Sequence, residues 1–411
     1  MAQFHRRRLA QEIGLDHLSR DDTDLMLRAI FGLKRPVRAE FLQAIYNLTD
    51  GNPFYIEEVL KSLIAAGDIF YARGYWDRKP IDELHIPATV LAAVQQRTAT
   101  LSEGSQQLLT LAAVAGRRFD YRLLQLLTGY NEAELLAQIK ALMAAQLVVE
   151  ETADRFAFRH ALTRQAIYSN LLARERRTLH LKIAETLERL YLDVETHLPA
   201  LAYHFYQAEA WDKALPYAQR AGERALAQHA LHAALEQFNR AITARQHLDA
   251  LPLPPLHQAR GQVHEWLGDF DAAESDYSVA LAAALEVGDR QAEWQSLLAL
   301  GFLWSGKDYE KSGSYLQDSL DLARELEDPA TLAHSLNRIG NWYANMEQVK
   351  VAHGYHEEAL MIFQELGDLS GLATTLDLLG TTAYLAGDMP AGISYYEQAI
   401  PYFHQAGDEP G

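Results

Sequence analysis

The sequence predicts a mainly α chain that ends in a long array of helix pairs, on three observations. Glycines recur at Gly222, Gly261, Gly301, Gly340 and Gly380, 39 or 40 residues apart. Asp289, Asp328, Asp368 and Asp408 keep the same beat in the segments EVGD, ELED, ELGD and QAGD. Ahead of Pro199 the beat is lost, and helical patterns alternate with a few short strand-like stretches. A period of this length, sustained over about 190 residues, is the mark of a repeat architecture.

In chain order, Ser19 with Asp21 and Asp22 reads as an N-cap and acidic first turn opening a helix over 23–32. A second helix over 38–48 ends at Thr49-Asp-Gly51-Asn-Pro53, a sharp corner from which a third runs over 54–66. Ile69, Tyr71 and Tyr75 alternate around Gly74, which suits a short hairpin. An amphipathic helix follows Ile86-Pro87 and reaches Arg97. Leu101-Ser102 starts a helix through Ala115, with two more over 121–128 and 132–145. Strand-like pieces over 147–151 and 155–158 flank Asp154, and with those three helices they make a winged helix.

From there the repeat takes over, and each unit is legible. In the first complete unit, Gly261 lets a partner helix approach closely and Gly268 supplies a left-handed C-cap. Ala273, Tyr277 and Ala280 then share one face of a second helix by their i, i+4, i+7 spacing. Ala352, His356, Ala359 and Gly392, Tyr396, Ala399 repeat that face.

Ile339-Gly340-Asn-Trp-Tyr343 and Leu379-Gly380, each followed by those small and aromatic positions, resemble the tetratricopeptide repeat. The period of about 40 implies longer helices or turns than the usual ~34. About six helix pairs are expected from Pro199. The first is degenerate over 211–221, 251–255 forms a linker, and Gly301 opens the weakest unit, with Gln317 where an aromatic belongs. Such arrays stack so that a concave surface can bind peptides or protein segments. Positions three before, one after and four after each glycine fall on one stripe of the first helix: Gln258, Gln262, Glu265; Asn337, Asn341; Asp377, Thr381, Tyr384. As a set they suggest a partner with polar or basic groups, while a solvated face explains any one of them.

The N-terminal half carries a second resemblance. Gly51-Asn-Pro-Phe-Tyr-Ile-Glu-Glu58, Leu101-Ser102, Ala113-Val-Ala-Gly-Arg-Arg-Phe119-Asp120 and Phe158-Arg-His160-Ala-Leu-Thr-Arg-Gln-Ala-Ile-Tyr168 are similar to segments of the STAND signal-transduction ATPases. These regulators carry a P-loop ATPase core, a helical lid, a winged helix and a sensor array of tetratricopeptide-like repeats. The resemblance implies a lid-like end over 1–70, a hairpin or linker over 71–87, a winged helix over 88–182 and the array over 183–411. It also implies nucleotide contact at Pro53, with Gly51 as its hinge, and at His160. A plain turn explains Gly51-Asn-Pro equally well, and a satisfied wing histidine explains His160. No P-loop or acidic magnesium strand precedes Leu15, so the chain is expected to hold no cofactor itself. ATP or ADP with magnesium would require an upstream ATPase core.

Composition narrows the chemistry. There is no Cys, which excludes disulfides, Cys-ligated metal and thiol nucleophiles. No apolar run approaches the ~18 residues of a membrane span, and no export signal is legible, so a cytoplasmic, membrane-free protein is expected. The net charge is −18, and residues 261–411 carry 6 Lys/Arg against 25 Asp/Glu, which argues against nucleic acid as a partner of the array. Residues 151–182 are locally basic, with Arg155, Arg159, Arg164, Arg174, Arg176, Arg177 and Lys182. The adjoining recognition-helix candidate over 132–145 nevertheless has one Lys and two Glu, so duplex contacts would be poor. Gly301-Phe-Leu-Trp-Ser-Gly306-Lys307-Asp308 mimics a P-loop spacing, but it lies in phase with the repeats and ends in Asp where Ser or Thr must meet magnesium. His353 with His356 and His229 with His232 lack the H-E-x-x-H pattern, and no catalytic or metal-binding set is expected. The expectation is therefore a non-catalytic sensor arm of a STAND-like regulator that takes a protein, peptide or small inducer, with oligomerisation belonging to the full-length regulator. A stand-alone repeat scaffold and a winged-helix DNA-binding transcription factor are the alternatives.

Overall fold

The computed structural model describes residues 16–72, 75–79, 96–159, 161–191 and 194–406. It is mainly α-helical and divides into two units, Met1–Leu192 and Asp193–Gly411. The boundary expected at 182/183 falls inside a continuous helix, Ala173–Leu190.

The first unit opens with α1 (Arg20–Phe31), α2 (Ala39–Thr49) and α3 (Pro53–Ala65). Ser19 and Asp22 close a capping box on α1. Their shared core is Leu27, Phe41, Ile45, Ile56, Val59, Leu60 and Leu63, onto which the hairpin β1 (Ile69–Ala72) and β2 (Tyr75–Arg78) folds through Ile69. The helix expected from Pro87 lies mostly outside the described residues, which resume at Gln96. Next come α4 (Glu103–Ala115), β3 (Arg118–Asp120), α5 (Tyr121–Thr128), α6 (Glu132–Ala144), β4 (Val148–Thr152), β5 (Arg155–Phe158), α7 (Ala161–Ser169) and α8 (Ala173–Leu190). The three strands form one antiparallel sheet ordered β3-β5-β4, with Phe119, Phe156 and Phe158 buried together. β3 is a strand the sequence reading omitted, because three residues are too few for an alternating pattern to register.

After a 3-10 turn at Glu195–His197, eleven α-helices make up the described part of the second unit: α9 (Leu198–Gln207), α10 (Trp211–Ala227), α11 (Leu231–His247), α12 (Pro254–Leu267), α13 (Phe270–Val287), α14 (Arg290–Trp304), α15 (Tyr309–Glu325), α16 (Pro329–Asn345), α17 (Val349–Leu366), α18 (Leu369–Leu385) and α19 (Met389–Ala406). They form five hairpins from α10 onward, each opened by a helix carrying one of the phased glycines, with α9 packed on the first. Five pairs and a single leading helix thus replace the expected six. α10, whose repeat motif is degenerate, is nonetheless a helix of 17 residues, and Pro254 already belongs to α12 rather than to a linker.

The phased glycines hold each pair together. A Cβ on Gly222, Gly261, Gly340 or Gly380 would stand 2.6–2.8 Å from the ring sixteen residues later, Phe238, Tyr277, His356 or Tyr396. Only a bare Cα lets that ring lie against its partner helix. In the Gly301 pair, where Gln317 holds the aromatic position, Leu316 fills the contact instead. The phased acids act at the other end of the unit: Asp289, Asp328 and Asp368 cap α14, α16 and α18 by accepting from Ala292, Thr331 and Gly371 amides. Asp408 lies outside the described residues. Among the described residues no helix is long and apolar enough to cross a membrane.

Candidate partner-binding groove

The first helices of successive pairs lie side by side, and a repeated hydrogen bond sews them together. Each bears a hydroxyl five residues before its glycine: Ser296 on α14, Ser335 on α16, Thr375 on α18. Each hydroxyl donates to the carbonyl one turn back, from Ser296 to Ala292 (2.8 Å), Ser335 to Thr331 (3.1 Å) and Thr375 to Gly371 (2.6 Å). Its oxygen then accepts from the preceding first helix: Gln258 Nε2 at 2.9 Å, Trp294 Nε1 at 2.7 Å and Asn337 Nδ2 at 2.7 Å. Six buried or half-buried polar side chains thereby satisfy one another within a packed seam.

Beside that seam runs an open cavity of about 660 Å³ between α12, α14 and α16. Gln258, Gln262 and Glu265 line one wall, Trp294, Leu298 and Phe302 another, and Arg338 closes the far side. Phe302 is 48% exposed and Trp266, at the rim, 46%, so the groove offers aromatic faces to solvent. The Arg338 guanidinium stands 4.9 Å over the Phe302 ring. Partial desolvation lowers its pKa from the ordinary value, and Glu265 opposes that shift. Arg290, Lys307, Lys311 and Arg324 each pair with carboxylates of the array, whereas Arg338 makes no ion pair among the described residues. Glu265 accepts from the Tyr277 hydroxyl at 2.9 Å, which fixes its carboxylate, and burial beside that acid pushes the Tyr277 pKa up.

The expected stripe is therefore only partly one surface. Gln258, Gln262 and Glu265 share the cavity. Asn337 does not: it is 6% exposed, and its amide is used by Thr375 and His356, so it belongs to the seam. The position three before the glycine points along the line of first helices rather than into the groove, and Gln258, which also donates to the Ala292 carbonyl at 2.8 Å, shows the same bias. Asn341 lies half-buried on α16. On α18, Asp377 is half-buried with its carboxyl raised by desolvation, Thr381 hydrogen-bonds the Tyr396 hydroxyl at 3.1 Å, and Tyr384 is exposed. Phe302, Trp294 and Arg338 were missed by the sequence reading. Phe302 holds the stripe position one after Gly301, in the unit whose motif is weakest, so the periodicity already contained it.

In the first unit, Gly51 has φ +71° and its carbonyl accepts from the Leu18 amide at 2.9 Å. A Cβ there would stand 2.1 Å from the Leu18 carbonyl oxygen, so the chain needs glycine for this clasp. Asn52 caps α3 through the Phe54 amide at 3.1 Å, and Pro53 is exposed at the first helical turn. His160 lies outside the described residues. The P-loop-like segment leaves helix α14 and ends with Asp308 capping α15, a helical turn with no strand before it. Within the basic stretch, Arg155 meets Asp120 at 3.4 Å, Arg159 donates to Gln146 at 3.3 Å, Arg164 to the Ala113 carbonyl at 2.8 Å and Lys182 to the Leu127 carbonyl at 2.7 Å, while Arg176 stacks on Tyr168. Those cations serve the fold.

No protein-family model matches the chain, and no curated protein does. Among solved structures it is similar to BtubC (BKLC) from P. vanneervenii, at 18% identity and a TM-score of 0.41 over 58% of this chain and 93% of that one. It is also similar to a signal transduction ATPase with numerous domains (STAND) with a tetratricopeptide repeat sensor from Pyrococcus horikoshii, at 14% identity and 0.36. That match covers 96% of this chain, which spans 61% of the STAND protein's length. A Rap protein complexed with Competence and Sporulation Factor matches at 15% identity and 0.43, over 58% of this chain and 73% of that one. At such scores the matches add nothing to what the array's own geometry establishes.

Proposed function

We propose that the chain is the regulatory arm of a STAND-like signal-transduction regulator, whose repeat array captures a protein or peptide segment, or a small inducer, in the groove between α12, α14 and α16. The observation that carries this reading is the groove itself: an open cavity of about 660 Å³ with exposed aromatic faces, polar side chains on its wall and an Arg338 that forms no ion pair among the described residues. Aromatic anchors beside a few fixed polar groups are the usual chemistry of peptide capture. In this reading residues 1–70 are a lid, 71–87 a linker, 88–182 a winged helix and 183–411 the sensor, in a cytoplasmic protein with no catalysis of its own. Gly51, Pro53 and His160 would then meet ATP or ADP only in the presence of a P-loop core. The internal use of Arg155, Arg159, Arg164 and Lys182 speaks against direct DNA binding.

The test is selection from a random peptide library followed by fluorescence anisotropy of the selected peptides. Binding near the micromolar range that falls about tenfold or more in Phe302→Ala and Arg338→Ala supports the groove. Peptides that bind both variants as well as the parent would refute it.

A further inference from the structure

A second cavity, of about 220 Å³, lies in the first unit between the end of α1, the 32–38 connection, the start of α2 and the β1–β2 hairpin. Its apolar lining includes Phe31, Phe41, Ile69 and Trp76, with Phe31 and Trp76 meeting edge to face at 5.3 Å. Arg38, Asp77 and Arg78 also line it, and the Asp77 carboxylate accepts from the Arg78 amide at 2.9 Å. The Arg78 guanidinium lies 5.2 Å over Phe41, and its Nη1 donates to the Lys79 carbonyl at 2.9 Å. Arg38 stands at the N-cap of α2 without a capping bond. Neither arginine forms an ion pair among the described residues. Partial burial and the neighbouring Arg38 lower the Arg78 pKa, while Glu40 and Asp77 offset part of that. The connection itself is held in place by the Val37 amide, which donates to Asp24 at 2.7 Å.

We propose that this cavity binds a small single-ring aromatic anion, its ring against Phe31, Phe41 and Trp76 and its phosphate or carboxylate between Arg38 and Arg78. With Asp77 the only acid on its wall, the cavity lining keeps a net positive charge that an anion relieves, and planar guanidinium groups suit a phosphate or carboxylate. The cavity volume of about 220 Å³ admits one ring with its charged group.

Isothermal titration of the full chain with phenyl phosphate tests this, with inorganic phosphate and benzyl alcohol as half-ligands. The expected result is a Kd below about 1 mM for phenyl phosphate, about tenfold or more weaker binding of either half-ligand, and a similar loss in Arg38→Gln and Arg78→Gln. Arg38 is exposed and makes no capping bond, so Arg38→Gln keeps the fold and carries the test alone if Arg78→Gln melts early. No heat with phenyl phosphate, or equal binding by Arg38→Gln, overturns the proposal. Phe302→Ala leaves this binding unchanged, which keeps its failure separate from that of the groove.

Discussion

His356 Nδ1 lies 3.1 Å from Asn337 Oδ1, and Asn337 spends its Nδ2 on Thr375 at 2.7 Å. Three helices, α16, α17 and α18, are thus joined by a single buried amide. Because that oxygen only accepts, the imidazole carries its proton on Nδ1.

Asn337→Ala should accordingly be a stability variant. It leaves His356 Nδ1 buried without an acceptor and should cost about 2 kcal/mol in urea unfolding. Asn341→Ala, four residues on and half-buried, should stay within about 0.5 kcal/mol. If both lower partner capture while neither moves the unfolding midpoint, the seam assignment of Asn337 is wrong.

Glycine-to-alanine exchange separates close packing from helix propensity. At Gly340 the new methyl would meet the His356 ring at 2.7 Å, and a loss of about 1–3 kcal/mol is expected despite alanine's better propensity. At Gly354, also inside a helix, nothing lies within 4 Å, so Gly354→Ala should gain about 0.5–1 kcal/mol. Thermal melts of the two variants should therefore move in opposite directions.

Buried histidines predict the acid response. His356 is pushed down to about 4 by burial and then by His353, and His180 to about 4 by burial and then by Arg164 and Arg176. Both are neutral in the folded chain and take up a proton near 6.5 when it unfolds. Their contribution is complete above pH 6.5, is lost as pH falls from 6.5 through 4, and is level below that. The full loss amounts to about 3 kcal/mol per histidine. Urea midpoints measured from pH 7.5 to 4.5 should fall on the acid side, and His356→Phe, which copies Phe238 against Gly222, should flatten that slope.

The array was legible because its period is written in side chains with one packing solution each, a glycine and a ring sixteen residues later. Seam hydroxyls were not, since Ser296, Ser335 and Thr375 in a helix look neutral until a neighbouring helix supplies Gln258, Trp294 or Asn337. The helical wheel puts Asn337 and Asn341 on one side of α16, but it carries no information on which edge of that side a parallel neighbour covers. Arg338 escaped for a related reason: its use depends on Phe302 from the preceding pair, a pairing that no single-helix pattern contains. In the first unit, the Gly51 corner showed as a turn, while the Leu18 clasp that makes glycine necessary is a contact 33 residues away in sequence.

The same unit offers the strongest test of a long-range polar contact. Glu58, fully buried on α3, pairs with Arg97, whose Nη2 also donates to the Ala145 carbonyl at the end of α6 at 2.9 Å. One guanidinium thereby ties the α1–α3 bundle to the three-stranded part. Removing it with Arg97→Ala leaves a buried carboxylate with only Lys61, at 3.5 Å, and strands the Ala145 carbonyl, so a loss of about 3 kcal/mol is expected. Replacing both partners, in Glu58→Leu with Arg97→Met, removes the charge along with its counter-charge and should recover much of that loss. A double variant as unstable as Arg97→Ala would mean that the bond to Ala145, rather than the ion pair, holds the two parts together. Urea unfolding of the parent, the single and the double variant decides between them.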